Sequence, residues 1–171
     1  FFQGSQISLD QSIGIVSDLY NYKVTVQSIT KITVTTEPAQ EWVLGTVIDS
    51  TGGGSGTILR IEGKDLYVAY VTGTFVDGET ITGTGVSITG GTNTLTIEAS
   101  GAVVADGSKY LIDTTGDGSG ELYPAIPMTR KGIYTFDLSD VTVATHPLRF
   151  STTADGTHGG GSAYTTYVYE H

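Results

Sequence analysis

The sequence contains no cysteine among its 171 residues, and this absence removes several kinds of chemistry at once. Without cysteine the chain has no disulfide bond, no thiolate ligand for a metal ion and no cysteine nucleophile. Secreted proteins of this size often carry disulfides, so the absence of cysteine favours assembly in a reducing cytoplasm.

Basic residues are also scarce: 8 Lys and Arg stand against 18 Asp and Glu, which gives a formal net charge of −10. Because proteins hold nucleic acid through Lys and Arg contacts to phosphate, this balance argues against a nucleic-acid partner. The same balance disfavours docking on an anionic membrane, and no apolar run is long enough to span a bilayer. We therefore expect neither nucleic acid nor membrane as a partner.

Helical periodicity is missing as well, and a period-two alternation of apolar and polar residues takes its place. KVTVQ, KITVT, NTLTIEAS and IYTFDLSD each alternate in this way, which predicts strands with one buried face. LYVAYV, residues 66–71, is apolar on both faces, which predicts a central strand covered on both sides or a strand buried at a subunit interface. Glycine clusters separate these segments, as tight turns require. The pattern predicts an all-β protein built as a small antiparallel barrel or sandwich.

The stretch ASGAVVADGSK, residues 99–109, suggests a boundary between two β modules. The first, residues 1–105, is rich in Gly and Thr, and the second covers residues 106–171. The link between them is short, so we expect the modules to pack or stack. Residues 1–5, FFQGS, resemble the end of a tobacco etch virus protease site followed by a Gly-Ser scar, so they are either a tag remnant or native sequence.

The stretch DTTGDGSGE, residues 113–121, resembles part of an EF-hand calcium loop. Asp113 and Asp117 fall at the first and fifth positions of such a loop, and Gly118 falls at the sixth. The twelfth position is Pro124, where a calcium loop needs a bidentate Glu. We therefore expect an acidic hairpin tip, with Asp113 and Asp117 as secondary candidates for a cation site.

Two histidines, His146 and His158, flank the polar segment FSTTADGT and are the other candidate metal ligands. Ser151, Asp140 and Asp155 lie near them in the sequence, so a Ser–His–Asp set can be drawn on paper. These residue types are common in any β protein, and no catalytic or phosphate-binding motif accompanies them. We expect a non-catalytic protein without a cofactor. His146 would be hydrogen-bonded to a backbone or hydroxyl group, and His158 would be an exposed turn residue.

The last third of the chain resembles a segment found in structural proteins of marine cyanophages and related tailed phages. The resemblance begins at YLID, continues through RKGIYTFDLSD and is strongest over residues 146–166. In those proteins the segment belongs to a cupredoxin-like β-sandwich, which the resemblance implies for residues 106–171. THPLRFST also resembles the blue-copper strand that carries the first histidine ligand, here His146. Such a copper site needs a Cys and usually a downstream Met, whereas this chain has no Cys and its single Met is Met128.

The first module carries a second resemblance, over residues 42–83. This stretch is similar to repeat modules of baseplate, neck and fibre proteins of the same phages. The matching elements are a GT pair, a glycine turn and a spaced pattern formed by Leu66, Val68, Val71, Gly73, Thr74, Phe75, Gly78, Glu79, Ile81 and Gly83.

Together the two resemblances imply a virion structural protein of a tailed phage, such as a tail fibre, appendage or decoration subunit, assembled in the host cytoplasm. Its partners would be other virion proteins and further copies of itself, in a trimer if it is a fibre, because exposed strand edges must be covered. One alternative is a secreted or surface carbohydrate-binding or adhesion module, in which the Tyr-rich YTTYVYEH stacks on a host-surface glycan. A third interpretation is a metal-binding relative of the cupredoxins.

Overall fold

The structure, a computed structural model, describes residues 19–86, 93–129, 132–153 and 160–169. In these residues the chain forms nine strands, a 3₁₀ turn at Val141–Val143 and no α-helix. The strands are β1 (Leu19–Thr33), β2 (Val47–Ser50), β3 (Ser55–Glu62), β4 (Asp65–Thr72), β5 (Thr80–Thr84), β6 (Thr94–Thr96), β7 (Val103–Asp113), β8 (Glu121–Leu122) and β9 (Ile133–Asp137). The all-β expectation is confirmed. None of the described residues belongs to a helix long and apolar enough to cross a membrane.

All nine strands belong to one sheet, in the order β6-β5-β2-β3-β4-β1-β7-β8, with β9 as a branch on β1. The pairings are antiparallel except that of β1 with β9, which is parallel. One edge of β1 pairs with β7, and the other pairs with β9 over residues 19–23 and with β4 over residues 30–33. In the gap between β9 and β4, the backbone N–H of Val26 donates to Thr142 Oγ1 at 2.9 Å.

The sheet is not closed into a barrel, so the barrel form of the sequence expectation is corrected here. The β6 end of the sheet meets the end of β1 at one antiparallel bridge, between Val34 and Ile97. A longer ladder cannot form there, because β7 occupies the edge of β1 that β6 would need for closure. Thr33 shows this competition, since its N–H donates to Ala102 and its carbonyl accepts from Glu98.

Three hydrophobic clusters hold the sheet together, and β1 contributes to each of them. Ile32 belongs to the largest cluster, which packs on the half of the sheet formed by β2 to β6. Ile29 belongs to a second cluster, and Val24 to a third. Because side chains alternate along a strand, Ile29 lies on the face opposite Val24 and Ile32. The largest cluster is formed by Ile32, Val34, Trp42, Ile48, Ile58, Leu66, Val68, Phe75, Ile81, Leu95, Ile97 and Ala102.

Strand β4 contains the segment that is apolar on both faces, and it lies between β3 and β1 in the middle of the sheet. Leu66 and Val68 face the largest cluster, while Ala69 faces the second, so both faces are covered as predicted for a central strand. The regular pleat ends at Tyr70, which has φ +54° and is 54% exposed beside a register shift in the pairing with β3. A bulky residue in this backbone conformation is a local irregularity that the bulge imposes.

The predicted boundary between residues 105 and 106 falls inside β7. Strand β1 pairs with β7 on both sides of it, Thr30 with Ala105 and Ile29 with Gly107. The two stretches therefore share one sheet in the described part of the chain, and their division into modules stays a prediction.

The loop between β4 and β5 contains the core of the spaced pattern noted in the sequence, and its residues have identifiable structural tasks. Phe75 is buried in the largest cluster. Gly73 has φ +66°, and a Cβ there would collide with the carbonyl oxygen of Gly53, so only glycine fits. A carboxylate oxygen of Glu79 accepts the backbone N–H of Val76 at 3.2 Å. The pattern is thus the set of residues that shape this loop.

Asp77 fastens the same loop to the start of β7. Its carboxylate accepts the backbone N–H groups of Gly101 at 2.6 Å, Ala102 at 3.1 Å and Val103 at 3.0 Å. A carboxylate that accepts several backbone N–H groups forms charge-assisted hydrogen bonds, which are stronger than neutral ones. Asp77 therefore links two segments that lie more than twenty residues apart in the chain.

We expect Asp77→Ala to lower the free energy of unfolding by about 2 kcal/mol, because three N–H groups lose an ionised acceptor. Asp77→Asn keeps one carbonyl oxygen and should lose about half as much. The control is Asp49→Ala, which removes one exposed hydrogen bond from Thr84 at 3.1 Å. Urea unfolding of the three variants gives the comparison. Equal losses in Asp77→Ala and Asp49→Ala would contradict the proposed linking role.

Candidate functional site

His146 follows the 3₁₀ turn, and its side chain is half-buried. Its backbone N–H donates to the carbonyl of Val143 at 2.8 Å. Its backbone carbonyl accepts the hydroxyl of Tyr110 at 2.8 Å, and its ring Nδ1 lies 3.1 Å from Thr145 Oγ1. These contacts favour a structural role, in which the backbone of His146 carries more of the anchoring than its ring does.

The residues of the Ser–His–Asp set are only partly described, because His158 and Asp155 lie outside the described residues. Ser151 Oγ donates to the carbonyl of Ser162 at 2.9 Å. Asp140 accepts the N–H of Thr142 at 3.0 Å and its hydroxyl at 2.6 Å, and so caps the 3₁₀ turn. Both side chains therefore hold local structure, and their described hydrogen bonds lead away from His146.

Asp113, the first candidate calcium ligand, is buried at the end of β7, and its carboxylate closes the acidic loop that follows. Oδ1 accepts the N–H of Thr115 at 3.1 Å, its hydroxyl at 3.3 Å and the N–H of Gly116 at 2.6 Å. Oδ2 accepts the N–H of Gly118 at 2.8 Å. An ionised carboxylate has about four acceptor positions, and these hydrogen bonds engage both oxygens, with three contacts on Oδ1 and one on Oδ2. The geometry therefore favours the hairpin-tip interpretation over a cation site.

Electrostatics agree with this arrangement at Asp113. Burial alone would raise the pKa of its carboxyl group, but the hydrogen bonds from Gly116, Gly118 and Thr115 outweigh burial and lower the pKa. Asp117, the second candidate ligand, is exposed and accepts the N–H of Ser119 at 2.7 Å. Within the described part of the chain, no three residues among His, Cys, Asp and Glu are grouped so that they could hold a metal ion.

An aromatic row crosses the branch of the sheet where β9 joins β1. Its members are Tyr20, Tyr134, Tyr22, Phe136 and Phe150. Tyr20 and Tyr134 are stacked, with ring centroids 4.8 Å apart and planes 5° apart. Tyr134 also stacks on Tyr22 at 6.5 Å, and Phe136 lies 5.1 Å from Phe150. The parallel register of β1 and β9 produces the row by placing Tyr20 opposite Tyr134 and Tyr22 opposite Phe136.

Each ring of the aromatic row has at least one ring neighbour within the row. Tyr22 is buried, and Tyr134 has a stacked neighbour in both Tyr20 and Tyr22. Parallel and tilted ring pairs at these distances stabilise a fold beyond the area that they bury. The row is therefore a structural feature of the β1–β9 pair.

The C-terminal tyrosines are placed differently, because they lie on the surface. Tyr164 is tied to the fold by its N–H, which donates to the carbonyl of Phe150 at 2.7 Å. Tyr167 and Tyr169 are 84% and 74% exposed. They are the aromatic side chains best placed to meet a partner or a ligand.

Sequence reasoning missed two of these features. The alternation in IYTFDLSD placed Tyr134 and Phe136 on one face, but no local signal paired that segment with Tyr20 and Tyr22, over a hundred residues earlier. Asp77 also went unnoticed, because its three partners lie far along the chain.

Comparison with known proteins adds no assignment: no family model, no curated protein and no solved structure matches this chain.

Protonation of Asp113 should weaken the fold at acid pH. Because its pKa is lowered in the folded state, the carboxylate stabilises the protein fully above the ordinary aspartate pKa, and this contribution is lost as the pH falls through the lowered value. We expect Asp113→Asn to lower the free energy of unfolding by about 1 kcal/mol at neutral pH, since an amide cannot accept at both positions. The difference from the parent should shrink as the pH falls below about 4.

Denaturant unfolding at a series of pH values measures this difference. At neutral pH the control Asp117→Asn, which alters one exposed hydrogen bond, should change the free energy of unfolding by about 0.5 kcal/mol or less. A difference between parent and Asp113→Asn that grew with acidity would show that the sign is wrong.

The contacts of His146 predict that its ring matters less than its backbone. We expect His146→Gln to cost about 1 kcal/mol or less and to leave any assembly intact, because glutamine keeps a hydrogen-bonding side chain. Tyr110→Phe should cost at least as much, because it removes the hydroxyl that binds the carbonyl of His146. Thermal unfolding of both variants, with and without added zinc or copper, tests this. Stabilisation by metal in the parent but not in His146→Gln would favour a metal site instead.

Proposed function

We propose that this chain is a non-catalytic structural subunit of a tailed-phage virion: a tail fibre, appendage or decoration protein. It would assemble in the host cytoplasm with other virion proteins and with copies of itself. The observation that carries the proposal is the loop between β4 and β5, where Gly73, Phe75 and Glu79 shape the backbone. These residues belong to the pattern shared with baseplate, neck and fibre modules, so the resemblance rests on residues that build a fold.

The polar residues that could have carried chemistry support the same proposal. The carboxylates of Asp113 and Asp140 accept hydrogen bonds from their own loops, and the backbone of His146 anchors a turn. Side chains engaged in this way hold the chain in shape, which is what a scaffold protein requires.

The cupredoxin-like β-sandwich of residues 106–171 is part of the proposal. A sandwich needs a second layer over the sheet, and Val143 and Leu148 pack on Val24 and Val26 from the segment that follows β9. Tyr110 ties this layer to β7 through the carbonyl of His146. This packing of Val143 and Leu148 on β1 supports a second module built of two layers.

Self-assembly is supported by apolar side chains on the surface. Leu19 is 58% exposed, Val141 is 87% exposed, and Tyr167 and Tyr169 are the exposed C-terminal tyrosines. Each of these side chains offers apolar surface that contact with another copy of the chain would remove from water. We expect a homo-oligomer, and a trimer if the subunit belongs to a fibre.

The second candidate function is a secreted or surface module that binds carbohydrate. The exposure of Tyr167 and Tyr169 favours it, because aromatic rings with open faces can stack on sugars. Binding on a glycan array that is lost in Tyr167→Ala and retained in Tyr20→Ala would support this candidate, since Tyr20 lies in the self-packed aromatic row.

The direct test of the proposed function is the protein content of purified particles. We expect mass spectrometry of density-purified virions from the phage that encodes this chain to find it in a fixed ratio to the major capsid protein. Immunogold labelling should then place it on tail, neck or head. Recovery of the chain only from the particle-free fraction of the lysate would contradict a virion role.

A further inference from the structure

Strand β9 has one edge without a partner strand in the described part of the chain. The outer edge of β7 is also unpaired over residues 103–110, but it carries a register shift, Asp106 and Lys109, which protect an edge. One side of β9 pairs with β1, and no described strand pairs with the other. The β6 edge is partly covered, because the residues after it meet the end of β1 at the Val34–Ile97 bridge. Strand β8 spans two residues, too few to recruit a partner strand.

The β9 edge also lacks the features that normally protect an edge strand. Proteins block such edges with proline, lysine, bulges or inward charges, because unpaired backbone groups recruit other strands. Strand β9 has the sequence IYTFD, with no proline or lysine and one charged residue, Asp137, at its end. Thr135, at the centre of the strand, is exposed. Among the described residues, nothing blocks strand addition at this edge.

We propose that the β9 edge pairs antiparallel with the β9 edge of a second copy, around a two-fold axis at Thr135. This inference rests on the proposed function, since it names the surface through which the structural subunit assembles with itself. In this register Thr135 lies opposite Thr135 of the partner subunit, and Tyr134 lies opposite the partner's Phe136. The two sheets then form one continuous sheet across the axis.

Charge favours a second copy in the antiparallel direction. Antiparallel pairing places Asp137 opposite the partner's Ile133, whereas parallel pairing would set the two Asp137 side chains side by side. A chain with a net charge of −10 repels its own copies, so self-association is favoured where few acidic groups meet. In the antiparallel register the Asp137 side chains of the two copies lie at opposite ends of the paired strands, which limits their repulsion.

Aromatic contacts would stabilise the same pairing. Tyr134 and Phe136 lie on one face of β9, where they continue the row from Tyr20 and Tyr22. Antiparallel pairing at Thr135 sets each of them beside an aromatic residue of the other copy. Cross-strand aromatic pairs stabilise antiparallel strands.

A two-fold contact of this kind is closed, because the same patch is used on both subunits. It produces a dimer, or an even-numbered assembly if other contacts exist. It does not produce the trimer expected for a fibre, so the oligomeric state separates this inference from the general expectation of self-assembly.

Charge substitutions at the axis test the pairing. Thr135→Lys and Thr135→Glu each place two like charges opposite each other, so each variant should raise the dimer dissociation constant about fivefold. An equimolar mixture of the two variants should recover the dimer as a heterodimer, seen by native mass spectrometry. Thr72→Lys is the matched control, because Thr72 is an exposed threonine at the end of β4. That variant should keep the mass of the parent.

A single introduced cysteine gives an independent readout of the register, because the chain contains no other cysteine. Residues opposite each other on antiparallel strands lie about 4.5–5.5 Å apart at Cα, within the range that a disulfide spans. Thr135→Cys should therefore form a covalent dimer on mild oxidation, and Thr72→Cys should remain a monomer on a denaturing gel.

A parent protein that is monomeric at high micromolar concentration would overturn the inference. So would a trimer whose mass is unchanged in Thr135→Lys, or a failure of the mixed Lys and Glu variants to associate. In each of these cases the virion analysis described above still decides the proposed function, because a subunit can join a particle through other surfaces. Recovery of the mixed dimer together with selective cross-linking at Thr135 would establish the pairing.

Discussion

The structure depends on the way in which β1 shares its two edges among three other strands. Over residues 30–32 both edges are taken, by β4 and by β7, and at residue 23 they are taken by β9 and β7. Because both edges of β1 are paired, the sheet does not close into a barrel. The same strand joins the half of the sheet formed by β2 to β6 to the branch that carries β9. The three hydrophobic clusters follow from it, because Ile32, Ile29 and Val24 are placed along one strand.

Carboxylates hold the loops around this sheet, which is how a strongly acidic chain with few basic residues can remain well packed. Asp77, Asp113 and Asp140 each accept backbone N–H groups close to a strand or turn end. Backbone dipoles thus partly balance negative charge that Lys and Arg are too few to pair. The pKa values of Asp113 and Asp140 are lowered as a result, Asp140 first through the hydroxyl of Thr142. Stability at neutral pH is linked to these groups remaining ionised.

The surface features that would serve the proposed function are aromatic side chains. The aromatic row includes Tyr134 and Phe136 of β9, whose outer edge has no partner among the described strands, and Tyr167 and Tyr169 add exposed aromatic surface. In the proposed function such surfaces would join neighbouring subunits, and the residues of the loop between β4 and β5 shape the backbone there. The two-fold pairing at Thr135 rests on the proposed virion role, and the two proposals are tested by different experiments.

The sequence by itself determined the all-β class and the segments that form β1, β4, β6 and β9, because alternation and glycine turns act over a few neighbouring residues. For β4 it left two alternatives, a central strand or a strand at a subunit interface, and the structure shows the central one. It also indicated a hairpin tip rather than a calcium loop at Asp113, since Pro124 stands where a ligand is needed. Tertiary structure alone decided the parallel β1–β9 pair, the aromatic row, the contacts of Asp77 and the open sheet. These depend on competition for strand edges between segments far apart in the chain, such as β1 and β9, and local patterns carry no information about that competition.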